Sequence, residues 1–253
     1  MVAGFVIIGS LMTQTINIFQ VIKNRSKIIT PNGNLLYLYP NCIDSILNSI
    51  EGSKIRYKIT ICDFESNDFP LEDWLPQKLK GVLDYEIIKI SRKFFDKGIG
   101  LNISRSIFNH EDFIFYLDAD NQITKNAINR IEHRLEQSCD SVGFLAPIYI
   151  EEDGSKIRRV DSVGNLWIRN KDLLSIPPWI NMNCWGGEDT IFLYNCLKSK
   201  LRVYRETDVD IYHQWHPAEL RNKYYKGGLP PKDDYSQAIR DYYKTGVLRE
   251  ITK

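Results

Sequence analysis

Two acids close a hydrophobic run in Phe113-Ile114-Phe115-Tyr116-Leu117-Asp118-Ala119-Asp120. The run reads as a buried strand, and Asp118 and Asp120 leave its C-terminal end, where open α/β sheets form their ligand crevice. Two carboxylates delivered there suit a hard divalent cation, which takes oxygen ligands and can also hold a diphosphate. The same spelling recurs at Asp208-Val209-Asp210, but those acids lie before or within a strand and do not close one.

A second acid pair lies in Cys184-Trp185-Gly186-Gly187-Glu188-Asp189-Thr190. Gly186 and Gly187 free the backbone, Trp185 offers a flat face to a sugar ring, and Glu188 and Asp189 open a helix that turns Ile191, Phe192 and Leu197 inward. The helix dipole favours acids in a first turn, so capping is the competing reading. A solvent-facing cap needs neither the indole nor the glycines. Asp210-Ile211-Tyr212-His213-Gln214-Trp215-His216-Pro217 then closes a strand with two of the chain's four histidines, and neutral imidazole is a common metal ligand.

Cations and aromatics recur where strands end. Lys23-Asn24-Arg25 follows the first strand, Ile16 to Ile22, and can meet phosphate oxygens, with solvated loop charge as the alternative. The acid-rich loop Asp63 to Asp68 follows the strand Ile55 to Cys62; a carboxylate there commonly bonds a base or ribose, or forms an Asx-rich turn. In Phe94 to Ser106, Gly98 and Gly100 allow close approach to a ligand, Phe95 supplies an aromatic face and Lys97 a cation.

The elements that must position these groups alternate. A helix with Ile43, Ile46, Leu47 and Ile50 on one face precedes the Ile55 strand, and Tyr85 to Ile90 is a third strand. A helix striped by Ile99, Ile103 and Ile107 leads back to Phe113. Another, Ile123 to Leu135, buries Ile128, Ile131 and Leu135. Strand–helix alternation argues for a mainly parallel sheet. Val142 to Ile150 and Ile157 to Ile168 read as strands of a hairpin about Glu152-Asp153-Gly154-Ser155, so the later half reads as smaller and antiparallel. Tyr224 to Gly228 suits a mobile flap, and Tyr235 to Arg249 an amphipathic helix. With no repeat or linker, one domain spans 1–253, with two functional halves at 14–121 and 122–253.

A chain of 253 residues can bury a substantial core. The net charge of +1 gives no basic field of the kind nucleic-acid binders show. Five scattered Cys form neither a CxxC pair nor a Cys/His set, which argues against a zinc site and disulfides and fits a reducing, cytoplasmic compartment. Met1 to Met12 is apolar but too short to span a bilayer. It reads as an extra strand or arm, with a shallow contact at the inner membrane face as the other reading.

Taken together, the chain resembles metal-dependent, inverting GT-A glycosyltransferases of family 2, with a C-terminal half similar to the β4-galactosyltransferases and chondroitin-polymerase type enzymes. The resemblance spans roughly residues 14–217. Its marks are Lys23-Asn24-Arg25, the loop at Asp63, Phe95-x-Lys97 with Asn102, Asp118-Ala119-Asp120, Trp185-Gly186-Gly187-Glu188-Asp189 and Tyr212-His213-Gln214. It implies a GT-A (Rossmann-like) α/β fold and transfer of a hexose or N-acetylhexosamine from a nucleoside-diphosphate sugar, UDP-linked, to a glycan or lipid-linked saccharide. Lys23, Arg25 and Lys97 would meet the diphosphate, and Asp63 and Phe95 the base and ribose. Asp118 would face ribose or metal, and Asp120 would ligate Mn2+ or Mg2+ with His213, His216 being the alternative to His213. Asn102, Gly164, Trp185, Gly186 and Gly187 would complete the substrate site; Glu188 would bond sugar hydroxyls and Asp189 would act as general base. Thr190 stands where a third acid is frequent, and Ile176-Pro177-Pro178-Trp179 replaces a Gly-containing turn. Two rivals are a sugar-nucleotide pyrophosphorylase, which calls for a Gly-rich basic loop that Lys23-Asn24-Arg25 lacks, and a non-catalytic sugar binder using Trp185 and Trp215.

Overall fold

The computed structural model describes residues 15–137, 140–182, 186–217 and 232–251. The expectations for Met1 to Met12, Trp185 and the Tyr224 to Gly228 segment lie outside these residues. The described elements are β1 (Thr15–Ile22), β2 (Ile28–Ile29), β3 (Leu35–Leu36), α1 (Leu38–Ile50), β4 (Arg56–Asp63), α2 (Leu71–Leu79), β5 (Asp84–Lys89), α3 (Lys97–Ile107), β6 (Phe113–Tyr116) and β7 (Asn121–Ile123). They continue as α4 (Lys125–Gln137), β8 (Ser141–Leu145), β9 (Ile148–Ile150), β10 (Lys156–Arg158), β11 (Asn165–Arg169), α5 (Asn170–Ser175), α6 (Glu188–Lys198), β12 (Arg202–Glu206), β13 (Ile211–His213) and α7 (Lys232–Thr245).

Seven strands form one sheet in the order β12-β8-β11-β6-β1-β4-β5. β1, β4, β5 and β6 run parallel, and β11 runs antiparallel between β6 and β8. Central strands covered on both faces need apolar side chains on both, and alternate residues divide between two cores. Ile16, Ile18, Phe113 and Phe115 join Ile43 and Ile46 of α1, Leu75 of α2, and Ile128 and Ile131 of α4. Phe19, Ile114 and Tyr116 join Leu101 of α3, Leu173 of α5, Phe192 of α6 and Ile239 of α7. The result is a mixed, mainly parallel sheet between two layers of helices, as the alternation predicts. Among the described residues no helix is long and apolar enough to cross a membrane.

Topology locates the crevice. After β1 the chain builds outward through β4 and β5, then returns to the other side of β1 as β6. Strand order therefore reverses between β1 and β6, and ligands of such sheets bind beyond the carboxyl ends at that point. Lys23 leaves β1 there, and Asp118 follows two residues past the end of β6. Because β11 is antiparallel to β6, with Leu166 opposite Tyr116, its first residues reach the same end. A second sheet, β10-β9-β13-β7, begins where the acid turn ends: β7 pairs with β13 so that Asn121 faces His213.

Three local expectations are corrected. The strand read as Val142 to Ile150 divides at Ala146-Pro147: β8 stays in the main sheet and β9 enters the small one. Proline has no N–H to continue a ladder. The strand read as Ile157 to Ile168 divides likewise into β10 and β11, so only β9 and β10 make the hairpin. In α3 the inward face is Gly98, Gly100, Leu101 and Ser104, and Ile107 is 41% exposed. Glycines take that face because neighbours come close: a Cβ on Gly98 would lie 2.2 Å from the Ile180 carbonyl oxygen, and one on Gly100 2.5 Å from Val21 Cγ1.

Gly143 on β8 gives the sharpest packing test. A Cβ there would meet the Trp167 indole at 2.1–2.4 Å, and Trp167 is fully buried, with its ring stacked on Phe113 at 5.8 Å. Gly143→Ala should lower unfolding free energy by about 1–3 kcal/mol, the usual range for overpacking; an unchanged urea midpoint would show that the ring can move aside.

Candidate functional site

The cleft beyond the β1 and β6 ends encloses about 450 Å³, and its wall includes Lys23, Arg25, Phe95, Lys97, Asp118, Asp120, Gly164, Gly186, Gly187, Glu188, Asp189, His213 and His216. Residues from both halves of the chain meet in it. Asp63 and Asn102 do not line it. The Asp63 carboxylate is fully buried, accepting from Ser66 N at 2.9 Å and Lys89 Nζ at 2.6 Å. The Asn102 amide is joined to the Trp179 backbone, donating at 2.8 Å and accepting at 3.0 Å.

Local structure sets each side chain. Asn24 adopts a left-handed conformation, φ 50. Its Oδ1 accepts from Asn67 N at 2.8 Å, while Asp68 accepts from Ser26 N and Lys27 N at 2.8 and 2.9 Å. The loops after β1 and β4 are thus stitched together around Arg25, and Lys23 donates to the Phe64 carbonyl at 2.7 Å. Asp96 caps α3 through Ile99 N at 3.1 Å, which fixes where Lys97 begins. Gly186 and Gly187 have φ of 78 and 98, values that side chains resist, and they turn the chain so that Glu188 and Asp189 start α6 facing the cleft.

Lys97 lies at the centre of the acids. Its Nζ is 2.8 Å from Asp118 Oδ1, 3.0 Å from Asp189 Oδ2 and 3.8 Å from Glu188 Oε1. Gly164 closes the same group: a Cβ there would lie 2.6 Å from Asp118 Oδ2 and would push that carboxylate aside. Asn165 beside it accepts at Oδ1 from Asp118 N at 3.0 Å and Asn121 Nδ2 at 2.8 Å, pinning the acid turn to β11. Asp189 Oδ1 is buried without a hydrogen-bond partner among the described residues, as is Arg25 Nη1. A buried carboxylate oxygen that lacks a donor and a guanidinium nitrogen that lacks an acceptor are groups a ligand could satisfy.

Asp120 has different company. Its Oδ2 is 3.3 Å from His216 Nε2, 3.8 Å from His213 Nε2 and 3.9 Å from Arg25 Nε. Candidate ligand atoms of Asp120, His213 and His216 all lie within 4.8 Å of one another. Adjacent ligands of an octahedral ion at about 2.1 Å are separated by roughly 3 Å, so an ion fits with small adjustments, and one carboxylate with two imidazoles is a transition-metal donor set. Both histidines belong to this group, and Asp118 is engaged by Lys97 instead.

Burial and charge divide the acids. Burial pushes Glu188 up to about 8, with Asp189 adding to the rise and Lys97 opposing it. Burial also raises Asp118, to about 6, against the pull of Lys97. Asp120 is held well below the usual carboxylate range, because His213, His216 and Arg25 outweigh its burial. Burial works against the charge on Lys97, yet Asp118, Asp189 and Glu188 hold it well above an ordinary lysine.

Sequence reasoning missed Tyr149 and Arg159, which also line the cleft. Tyr149 stacks on His213 at 4.2 Å and 7°, with the Arg159 guanidinium 5.6 Å from its ring centre. Their nearness follows from register, since β13 pairs His213 with Tyr149, and no sequence pattern announces that pairing. Asn165 could have been suspected only from its place after Gly164.

No protein-family model and no curated protein matches the chain. Solved structures do. GalNAc-T7 with UDP, GalNAc and Mn2+ superposes with a TM-score of 0.61 at 14% identity, over 92% of this chain and 50% of that one. S. aureus TarS 1-349 in complex with UDP-GlcNAc gives 0.60 at 11%, over 88% and 63%, and TarS 1-349 alone gives 0.57 at 14%, over 79% and 60%. The chain therefore has the GT-A fold of these glycosyltransferases and spans about half to two thirds of their length.

The raised Glu188 carboxyl has a consequence for stability. Its folded value of about 8 exceeds the ordinary 4.5, so between those values the unfolded chain releases a proton that the folded one keeps. Stability from this group is present at low pH and is lost as pH rises through that window, at up to about 1.4 kcal/mol per unit. In metal-free protein, Glu188→Gln should flatten the decline between roughly pH 5 and 8 in urea titrations; parallel profiles for variant and wild type would refute the assignment.

Proposed function

We propose that the protein is a metal-dependent, inverting glycosyltransferase that moves a hexose or N-acetylhexosamine from a UDP-sugar to a hydroxyl of a glycan or lipid-linked saccharide. The observation that carries this reading is the convergence of Asp118 and Asp120, Glu188 and Asp189, and His213 and His216, with Lys23, Arg25 and Lys97, in one cleft at the sheet's switch point. The nucleotide sugars and Mn2+ named with the similar structures support the donor class and the metal.

In this reading the acceptor hydroxyl oxygen attacks the anomeric carbon as the carbon–oxygen bond to the diphosphate breaks. The bonding pair leaves with UDP, and the hydroxyl proton passes to Asp189, whose buried Oδ1 has no hydrogen-bond partner among the described residues. Attack opposite the leaving group inverts the centre. General base catalysis of this kind supplies about 10²–10⁴-fold. Glu188, kept protonated near neutrality, donates a hydrogen bond to a sugar hydroxyl, and Gly164 leaves room for the ring beside Asp118. Lys97 and Arg25 stabilise the departing diphosphate. Asp120, His213 and His216 would hold Mn2+ or Mg2+, which adds a Lewis acid at the leaving group; two imidazoles favour Mn2+.

Asp189→Asn should lower transfer by at least about 100-fold while keeping the thermal shift that UDP-sugar and Mn2+ give the wild type. Near-normal turnover would remove Asp189 from the role. Exhaustive chelation should abolish UDP release, and added Mn2+ should restore it; full activity in chelator would refute the metal. A nucleotide-release assay also separates the rivals, since a pyrophosphorylase consumes pyrophosphate and a binder releases no UDP.

A further inference from the structure

The two parts of the metal triad come from distant chain segments, and one buried side chain between them belongs to neither acid pair. Gln214 lies directly after His213, 94 residues from Asp120. Its backbone N–H donates to the Asp120 carbonyl at 2.9 Å, and its Nε2 donates to the same carbonyl at 3.2 Å and to the Leu38 carbonyl at 2.8 Å. Its Oε1 accepts from Asn41 Nδ2 at 3.1 Å and Gln122 Nε2 at 3.4 Å. An amide offers two donors and two acceptor lone pairs, so every valence of this one is used, in a residue that is 7% exposed.

The pairing of β7 with β13 ends at Asn121 and His213. Asp120 lies one residue beyond that pair, outside the ladder. The bonds from Gln214 to the Asp120 carbonyl add the missing rung and tie it to the start of α1. With the Asp120 backbone fixed, its carboxylate is aimed between His213 and His216; without the rung it can turn toward Arg25 or solvent.

We propose that Gln214 is a positioning residue for the metal site, setting Asp120 against the two histidines before any ion arrives. The inference rests on the proposed triad, and it predicts a change in metal affinity, which activity alone would not isolate. Groups that orient ligands in this way typically alter metal affinity by 10–100-fold.

The test titrates Mn2+ into the full chain, with and without UDP, following free Mn2+ by its electron paramagnetic resonance signal. Gln214→Met keeps length and removes the four side-chain bonds while the backbone bond to Asp120 stays; Gln214→Glu keeps the acceptors and loses the side-chain donors to Asp120 and Leu38. Both should bind Mn2+ about 10–100-fold more weakly than wild type. Glu132→Gln, which disturbs the remote contacts to Ser53 and Tyr57, serves as the stability control and should bind Mn2+ normally. Wild-type affinity in both Gln214 variants would overturn the inference and leave the triad standing. Equal weakening in Glu132→Gln would overturn it as a general stability effect. Absence of Mn2+ binding in wild type, or wild-type binding in His213→Ala, would overturn the triad itself and the inference with it. Should Gln214→Met fail to fold, the near-isosteric Gln214→Glu decides.

Discussion

Carboxylates from two remote segments are brought within reach of one ammonium, and the charge this concentrates governs the architecture around the cleft. An ionised carboxylate removed from water is costly unless paired. Lys97 contacts Asp118 and Asp189 closely and Glu188 more distantly, so one positive charge faces three acids. The surplus is relieved in two ways. Glu188, the most enclosed, keeps its proton toward neutrality. Asp120 is turned away from Lys97 to Arg25 and the two imidazoles. A lysine suits the central place better than an arginine, because a compact ammonium can serve acids from several directions while a planar guanidinium favours one carboxylate at a time.

Holding such a cluster requires anchors that do not depend on the charges themselves. The antiparallel strand β11 brings Gly164 against Asp118 and Asn165 under the acid turn. The stitched loops after β1 and β4 carry Arg25. Two left-handed glycines aim the start of α6, and the small sheet carries His213 to Asp120. Most of these anchors are made by backbone groups or buried amides, whose hydrogen bonds do not depend on the protonation of the cleft acids; the Asp68 carboxylate, outside the cleft, adds to the stitching of the loops. The left-handed backbone at Gly186 and Gly187 and the close approach of Asp118 to Gly164 use glycine where functional groups must be placed.

Much of this was legible in the sequence because it was written in local patterns. The β6 run ending in Asp118, the inward face of α4 and the paired glycines before Glu188 each depend on neighbours a few residues apart. The failures share one cause: they depend on partners distant in sequence. Nothing near Asn102 announces that its amide will clamp Trp179, and nothing near Asp63 reveals Lys89. Pro147 did mark the division between β8 and β9, but hydrophobic continuity through Ile150 outweighed it. The α3 stripe holds for Ile99 and Ile103, which pack against the core, but not for Ile107, and the glycines take the closest face because absent side chains let Val21 and Ile180 approach. Tyr149 reaches His213 only through a parallel pairing between strands more than sixty residues apart.

The charge pattern also bears on the order of events in the proposed reaction. Lys97 donates to Asp189 Oδ2 at 3.0 Å. A bound diphosphate places further negative oxygens near Lys97 and Arg25, while a divalent ion beside Asp120 offsets much of that charge. In the proposed reaction the two arriving together would change the net charge of the cleft little yet redistribute its contacts: Lys97 would gain phosphate oxygens as partners and its hold on Asp189 would weaken as the donor settles. In that reading one lysine would serve first the acids and then the leaving group, because Lys97 already faces three carboxylates.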